Sequence, residues 1–233
     1  MIFNSQFFEP ITYATFIVYG AASETVTFTG NGKTYTIKTA SNGVSSTSLE
    51  VITGTYTVTG SVSGYSGSQT ITTSTTRVNA WPSNYNIYYW YGYAPNGGWS
   101  RAAALPTASP YDDNPVTPTL SVSTNSVYMK TSGDYARGGS IYLPKAKLSG
   151  TTLYLKCSGA TNKSWLALNV TSSMSNYHTS AGYATINTGD TSKTLNISSL
   201  SGGSYYIAIS ANTSGYSTGS KPSSITVHAV YTY

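Results

Sequence analysis

Residues able to do acid–base or nucleophilic chemistry are few in this chain. Its 233 residues hold seven carboxylates: Glu9, Glu24, Glu50, Asp112, Asp113, Asp134 and Asp190. There are two histidines, His178 and His228, and one cysteine, Cys157. A glycosidase needs two carboxylates on a rigid scaffold, roughly 5–10 Å apart. The one adjacent pair, Asp112 and Asp113, lies in a proline-rich stretch that offers no such scaffold. It reads as solvated linker charge, with a calcium contact as the alternative. No nucleophile elbow, no "HExxH" and no phosphate-cradling glycine loop occurs. His, Cys and carboxylates are not clustered as a metal site requires. A single cysteine excludes an intrachain disulfide, and in the alternating "TLYLKCSG" it reads as a small buried apolar residue. The expectation is a protein with no enzymatic activity and no cofactor.

Aromatic residues are plentiful where reactive ones are scarce. "NIYYWYGYAPNGGWS" (Asn86–Ser100) carries six Tyr or Trp in fifteen residues and no charge. Period-two alternation puts Ile87, Tyr89, Tyr91 and Tyr93 on one face and Tyr88 and Trp90 on the other. The strand reading covers the segment up to Tyr91, with one aromatic row in a core. Beyond Gly92 the chain runs through Gly97 and Gly98 to Trp99, where no strand is expected. Tyr93, Trp99 and Tyr111 are therefore the candidate contact surface, toward the second domain, another subunit or a glycan, since exposed aromatics are enriched at interfaces.

The elements around these residues read as strands almost throughout. Alternation marks strands at Ala14–Tyr19, Thr25–Thr29, Thr34–Thr39, Ser46–Val51, Gly54–Ser61, Gln69–Thr73 and Tyr85–Tyr93. "TGNGK" (Thr29–Lys33) is a strong hairpin signal, and "TASNGVS" and "GYSGSQ" are further turns. Ala94–Thr119 holds five of the nine prolines and reads as an extended linker. From Leu120 nine more short strands follow, from "LSVS" to "SITVHAVYTY". In the last of these, Ile225, Val227, Ala229, Tyr231 and Tyr233 fall on one face and Thr226, His228, Val230 and Thr232 on the other. The predicted fold is all-β: two tandem antiparallel β-sandwiches, Ig-like at 1–93 and jelly-roll-like at 119–233, joined by a linker at 94–118.

Composition narrows the partners. Only 8% of residues are charged, against a typical ~25%. The net charge of +5 comes from singly scattered basic residues. A nucleic-acid surface needs a cluster or stripe, so nucleic acid is not an expected partner. No stretch approaches the ~20 apolar residues of a membrane helix. "ITYATFIVYGAA" lacks the basic flank of a signal peptide and reads as a strand.

Two resemblances sharpen this picture. Val26–Thr73, with Asn42-Gly43 in a turn and "GTYTVTGS" followed by "SGYSG", resembles the small Ig-like and carboxypeptidase-regulatory-like sandwiches, including the PEGA type. That resemblance implies an adaptor and no catalysis. "YARGGSIYLPKAKLSGTTLYLKCSG" and "TLNISSLSGGSYYIAISA" look like jelly-roll modules of tailed-bacteriophage tail and surface proteins, and loosely like carbohydrate-binding modules. Together these imply a non-enzymatic structural protein of a phage virion, decorating the head or serving in the tail as a receptor-binding component. Its partners would be other virion proteins in a homo-oligomer or symmetric array, and a host-surface glycan; it would assemble in the host cytoplasm. The alternative is a carbohydrate-binding or adhesive module of a bacterial surface protein.

Overall fold

Asn31 and Gly32 both take positive φ, 51° and 68°, and turn the chain tightly between β2 (Thr25–Gly30) and β3 (Lys33–Lys38). This is the type I′ hairpin that Asn-Gly favours. It is seen in a computed structural model that describes residues 10–41, 43–81, 84–103, 117–123, 126–131, 139–162, 165–174, 180–212 and 222–233. The chain divides into two units, Met1–Ser83 and Asn84–Tyr233, each all-β.

The first unit adds β1 (Tyr13–Tyr19), β4 (Leu49–Ile52), β5 (Gly54–Gly60), β6 (Ser66–Ile71) and β7 (Arg77–Asn79). One sheet runs β4-β1-β7 and the other β3-β2-β5-β6. Strand β7, which alternation alone does not mark, lies parallel to β1; the other pairings in this unit are antiparallel. Alternate residues of β1, Ala14, Phe16 and Val18, are buried, as are Val26, Phe28, Tyr56 and Val58 of the facing sheet. The Phe16 and Phe28 rings meet at 5.5 Å and bind the two sheets.

A buried carboxylate fastens two turns of this unit. Glu24 is fully buried. Its Oε2 accepts from the Ala21 N–H at 2.7 Å. Its Oε1 accepts from the Ser63 N–H at 2.7 Å, the Val62 N–H at 3.2 Å and the Ser63 hydroxyl. Two glycines make room for it: a Cβ at Gly60 would sit 2.2 Å from Oε1, and one at Gly20 would sit 2.4 Å from Oε2. Gly60→Ala is expected to lower the stability of this unit by at least 1 kcal/mol, within the range for forced overpacking, as read from its denaturation midpoint.

The second unit begins earlier than alternation and proline content suggest. The strand expected to close the first sandwich, β8 (Asn86–Trp90), belongs here, and so does β9 (Ser100–Ala103), inside the expected linker. The remaining strands are β10 (Thr119–Val122), β11 (Val127–Lys130), β12 (Gly139–Tyr142), β13 (Ala146–Lys147), β14 (Thr152–Thr161), β15 (Trp165–Thr171), β16 (Ser180–Thr185), β17 (Ser192–Asn196), β18 (Ser204–Asn212) and β19 (Ser224–Thr232). A short 3-10 turn, Ser198–Leu200, precedes β18. One sheet runs β10-β11-β19-β14-β17, with β8 also on β19; the other runs β16-β15-β18-β12-β9, with β13 on β18. Val127, Met129, Leu153, Leu155, Val227 and Val230 of the first meet Ile141, Leu166, Leu168, Val170, Ile207 and Ile209 of the second in one core. Cys157 is buried in this core, as expected, and its thiol donates to the Asp190 carbonyl at 3.4 Å.

Candidate functional site

Two single-residue insertions decide which aromatic side chains face solvent. On β19, Lys156 pairs with Ala229 while the next residue, Cys157, pairs with Val227, so His228 is an extra residue opposite β14. A bulge of this kind reverses the inward–outward alternation beyond it. Ile225 and Val227 point into the core, and after the bulge Val230 does. Tyr231 and Tyr233 are thereby turned to the outer face. This corrects the face assignment drawn from period two. On β8, Val230 pairs with Tyr89 and Tyr231 with Ile87, so Tyr88 is extra there. Tyr88 and Tyr89 both enter the core, while Trp90 meets Tyr231 edge-on at 5.7 Å.

The outer face of the β8-β19-β14 region therefore carries a packed row of tyrosines. Tyr85 stacks on Tyr231 at 4.8 Å and 16°, and on Tyr233 at 5.5 Å and 17°. Tyr154 stacks on Tyr231 at 5.3 Å and 11°, and on Tyr233 at 4.7 Å and 20°. Neighbouring strands lie about 4.8 Å apart, so near-parallel rings at this spacing stand upright on the sheet. The result is a ridge of stacked phenol rings, exposed at the Tyr154 and Tyr233 hydroxyls and more deeply buried at Tyr231. The Tyr154 and Tyr233 hydroxyls are hydrogen-bonded to each other. Tyr233 is 43% exposed; Tyr85, Tyr154 and Tyr231 are half-buried. The Thr151 N–H holds the Tyr233 carbonyl at 3.1 Å, over Gly150, where a Cβ would come within 2.5 Å of that oxygen.

A tight turn extends the strip beyond Trp90. Tyr91 and Gly92 have φ of 41° and 90°, and Trp90 and Tyr93 exchange backbone hydrogen bonds at 2.8 Å across them. The turn lays the Tyr91 ring on the His228 ring at 5.7 Å and 25°, with the Lys156 ammonium 5.6 Å from its centroid. His228 Nε2 is 2.7 Å from the Ser158 hydroxyl. Burial, helped by Lys156, holds the imidazole pKa below its ordinary value, so it is neutral at pH 7. Among the described residues no three of His, Cys, Asp and Glu come together as a metal site.

The residues singled out from sequence fare differently. Trp99 is buried, 8% exposed, and packs edge-to-face on Tyr89 at 5.6 Å within the core. Its contact is with the core of the second unit: the strand that follows it, β9, pairs with β12 and brings the indole inward. Tyr93 is half-buried in the turn. Tyr111, Asp112, Asp113, Asp134 and His178 lie outside the described residues. The ridge tyrosines come from three strands and their immediate flanks, far apart in sequence, and no local motif joins them.

Burial of the phenols gives the unit an alkaline limit. Burial pushes Tyr89 from 10.0 to about 12. Burial, then neighbouring phenols led by Tyr85, pushes Tyr231 to about 12. A raised folded-state pKa favours folding fully below pH 10, and that contribution is lost as the pH climbs from 10 to 12. Burial likewise takes the Cys157 thiol from 9.0 to about 11. A thiol reagent should leave Cys157 unmodified near neutral pH in the native protein and label it rapidly in denaturant, as followed by absorbance.

No family model and no curated protein matches the sequence. Among solved structures the likenesses are distant. A structure concerning the promiscuous specificity of carbohydrate-binding modules of the β-sandwich superfamily is 16% identical; 97% of this chain and 94% of that chain are covered, with a TM-score of 0.36. DUF3823 family proteins from Parabacteroides merdae and Bacteroides ovatus are 10% and 12% identical. Each match covers 96% of this chain, and 100% and 98% of theirs, at TM-scores of 0.28 and 0.26. At these scores the likenesses assign this chain no function. No described helix is long and apolar enough to cross a membrane.

Proposed function

We propose that the chain is a non-enzymatic binding module of a surface protein, which engages carbohydrate through the tyrosine ridge of its second unit. The observation that carries this reading is the ridge itself: four stacked phenols on or beside paired strands, with the Tyr154 and Tyr233 hydroxyls exposed. A binding surface needs side chains held in place before the ligand arrives. Stacking and strand pairing supply that here, where the expected linker tryptophan could not. Phenol hydroxyls donate to and accept from sugar hydroxyls. The outer ring faces of Tyr85 and Tyr154 offer flat apolar flanks to the C–H faces of pyranose rings. A ridge of this shape suits a soluble chain that straddles it better than a flat crystalline surface.

The virion expectation is carried by composition and by sequence resemblance, and the ridge would serve on a particle or on a cell. Retardation of the full chain in gels containing soluble neutral polysaccharides tests carbohydrate binding by the ridge. Tyr154→Ala is expected to weaken retardation by about 2 kcal/mol in affinity, the scale of a contact hot spot. Tyr183→Ala, at an exposed tyrosine of the other sheet, should leave retardation unchanged. Equal retardation of both variants would remove the ridge as the binding surface.

A further inference from the structure

We infer that Tyr154 and Tyr233 form an oxidative cross-linking site, at which a one-electron oxidant of phenols joins β14 to the end of β19 through a dityrosine bond. Three observations place the two rings for it. They are the closest of the stacked pairs in the ridge, at 4.7 Å between centroids and 20° between planes. Their hydroxyls are hydrogen-bonded to each other, which draws together the ring carbons ortho to each oxygen. Both rings reach solvent, Tyr233 at 43% exposure.

The diagonal relation of the pair follows from register. Tyr154 lies directly opposite Tyr231, and Tyr233 is two residues further along, on the same side of the sheet after the His228 bulge. Diagonal neighbours of an antiparallel pair are within reach of aromatic side chains. The Thr151–Tyr233 backbone hydrogen bond holds the second partner in place.

The chemistry balances as follows. Each phenol gives up one electron to the oxidant and the proton on its oxygen. The two phenoxyl radicals couple, forming one carbon–carbon bond between an ortho carbon of each ring. The hydrogens on the joined carbons then leave as the rings regain aromaticity, and both oxygens are protonated again. Net, two electrons and two protons depart. With a haem peroxidase as the oxidant, one hydrogen peroxide takes them up and becomes two waters. Both protons pass to water, which reaches this exposed pair of hydroxyls. Cys157 is the sole cysteine, so no intrachain disulfide can form, and the dityrosine bond would close a loop from residue 154 to residue 233. This inference stands apart from carbohydrate binding, and its readouts do not depend on a ligand.

Treatment of dilute full-length protein with a haem peroxidase and hydrogen peroxide tests it. The expected result is dityrosine fluorescence in a monomeric product, an intact mass lower by two hydrogens, and a cross-linked peptide pair containing Tyr154 and Tyr233. The product should also unfold at a higher denaturant concentration than the untreated chain. Tyr154→Phe and Tyr233→Phe keep the rings and should each abolish the monomeric product, while Tyr85→Phe should retain it. Their unfolding midpoints without oxidant confirm that the fold persists. A cross-link mapped to other tyrosines, or fluorescence confined to covalent dimers, would overturn the assignment.

Discussion

Truncating Trp99 to alanine should destabilise the second unit by about 3–5 kcal/mol, the cost of emptying a large aromatic site in a core. The indole is 8% exposed and meets Tyr89 edge-on, so its loss opens a cavity beside β8. Trp99→Phe should cost distinctly less. Phenylalanine keeps part of the ring packing, and it removes a buried indole N–H that has no hydrogen-bond acceptor; an unpaired buried donor costs about 1–3 kcal/mol. Equilibrium denaturation of the full chain, followed by near-ultraviolet circular dichroism, checks both. An alanine variant with an unchanged midpoint would show that the indole is not a core residue.

The second large effect belongs to Glu24. Glu24→Ala removes the acceptor shared by the N–H groups of Ala21, Val62 and Ser63 and the Ser63 hydroxyl, at turns that are only partly buried. Each lost bond to a charged acceptor is worth about 1.5–3 kcal/mol. Water reaching these partly buried turns will recover much of this, so a net loss of about 2–3 kcal/mol is expected, the scale of one or two such bonds. Glu24→Gln should fall between, because an amide nitrogen must face one set of donors. The loss should appear in the transition of the first unit and leave that of the second where it was. A Glu24→Ala protein as stable as the parent would show that the four donors find other partners.

Much of the fold was legible from residues alone, because alternation and turn chemistry are local. Asn31-Gly32 turns as Asn-Gly should, and the alternate burial of Tyr13–Tyr19 follows its period-two pattern. Strand partners were not legible. "NIYYWYGY" reads as a strand in any context, and only pairing with β19 places it in the second unit. Proline marks where ladders stop, so Ala94–Thr119 looked like a division between domains. Yet Ser100–Ala103 within it is an edge strand with too few alternating residues to notice. The ridge was hidden for a sharper reason. Ala229 is small and apolar, so unbroken alternation through His228 looked sound, and a single extra residue moves Tyr231 and Tyr233 to the opposite face. Glu24 showed nothing in sequence, because its donors at Val62 and Ser63 come from a turn nearly forty residues away.

The central claim is that ligand lies on the tyrosine ridge. It is tested most directly by nitrating tyrosines with tetranitromethane and mapping the sites by mass spectrometry, with and without a retained polysaccharide. Protection of Tyr85, Tyr154 and Tyr233, with Tyr13 and Tyr183 nitrated equally in both, is the predicted result. Unchanged nitration of the three ridge tyrosines under saturating polysaccharide, or no polysaccharide retained from a broad panel, would contradict it.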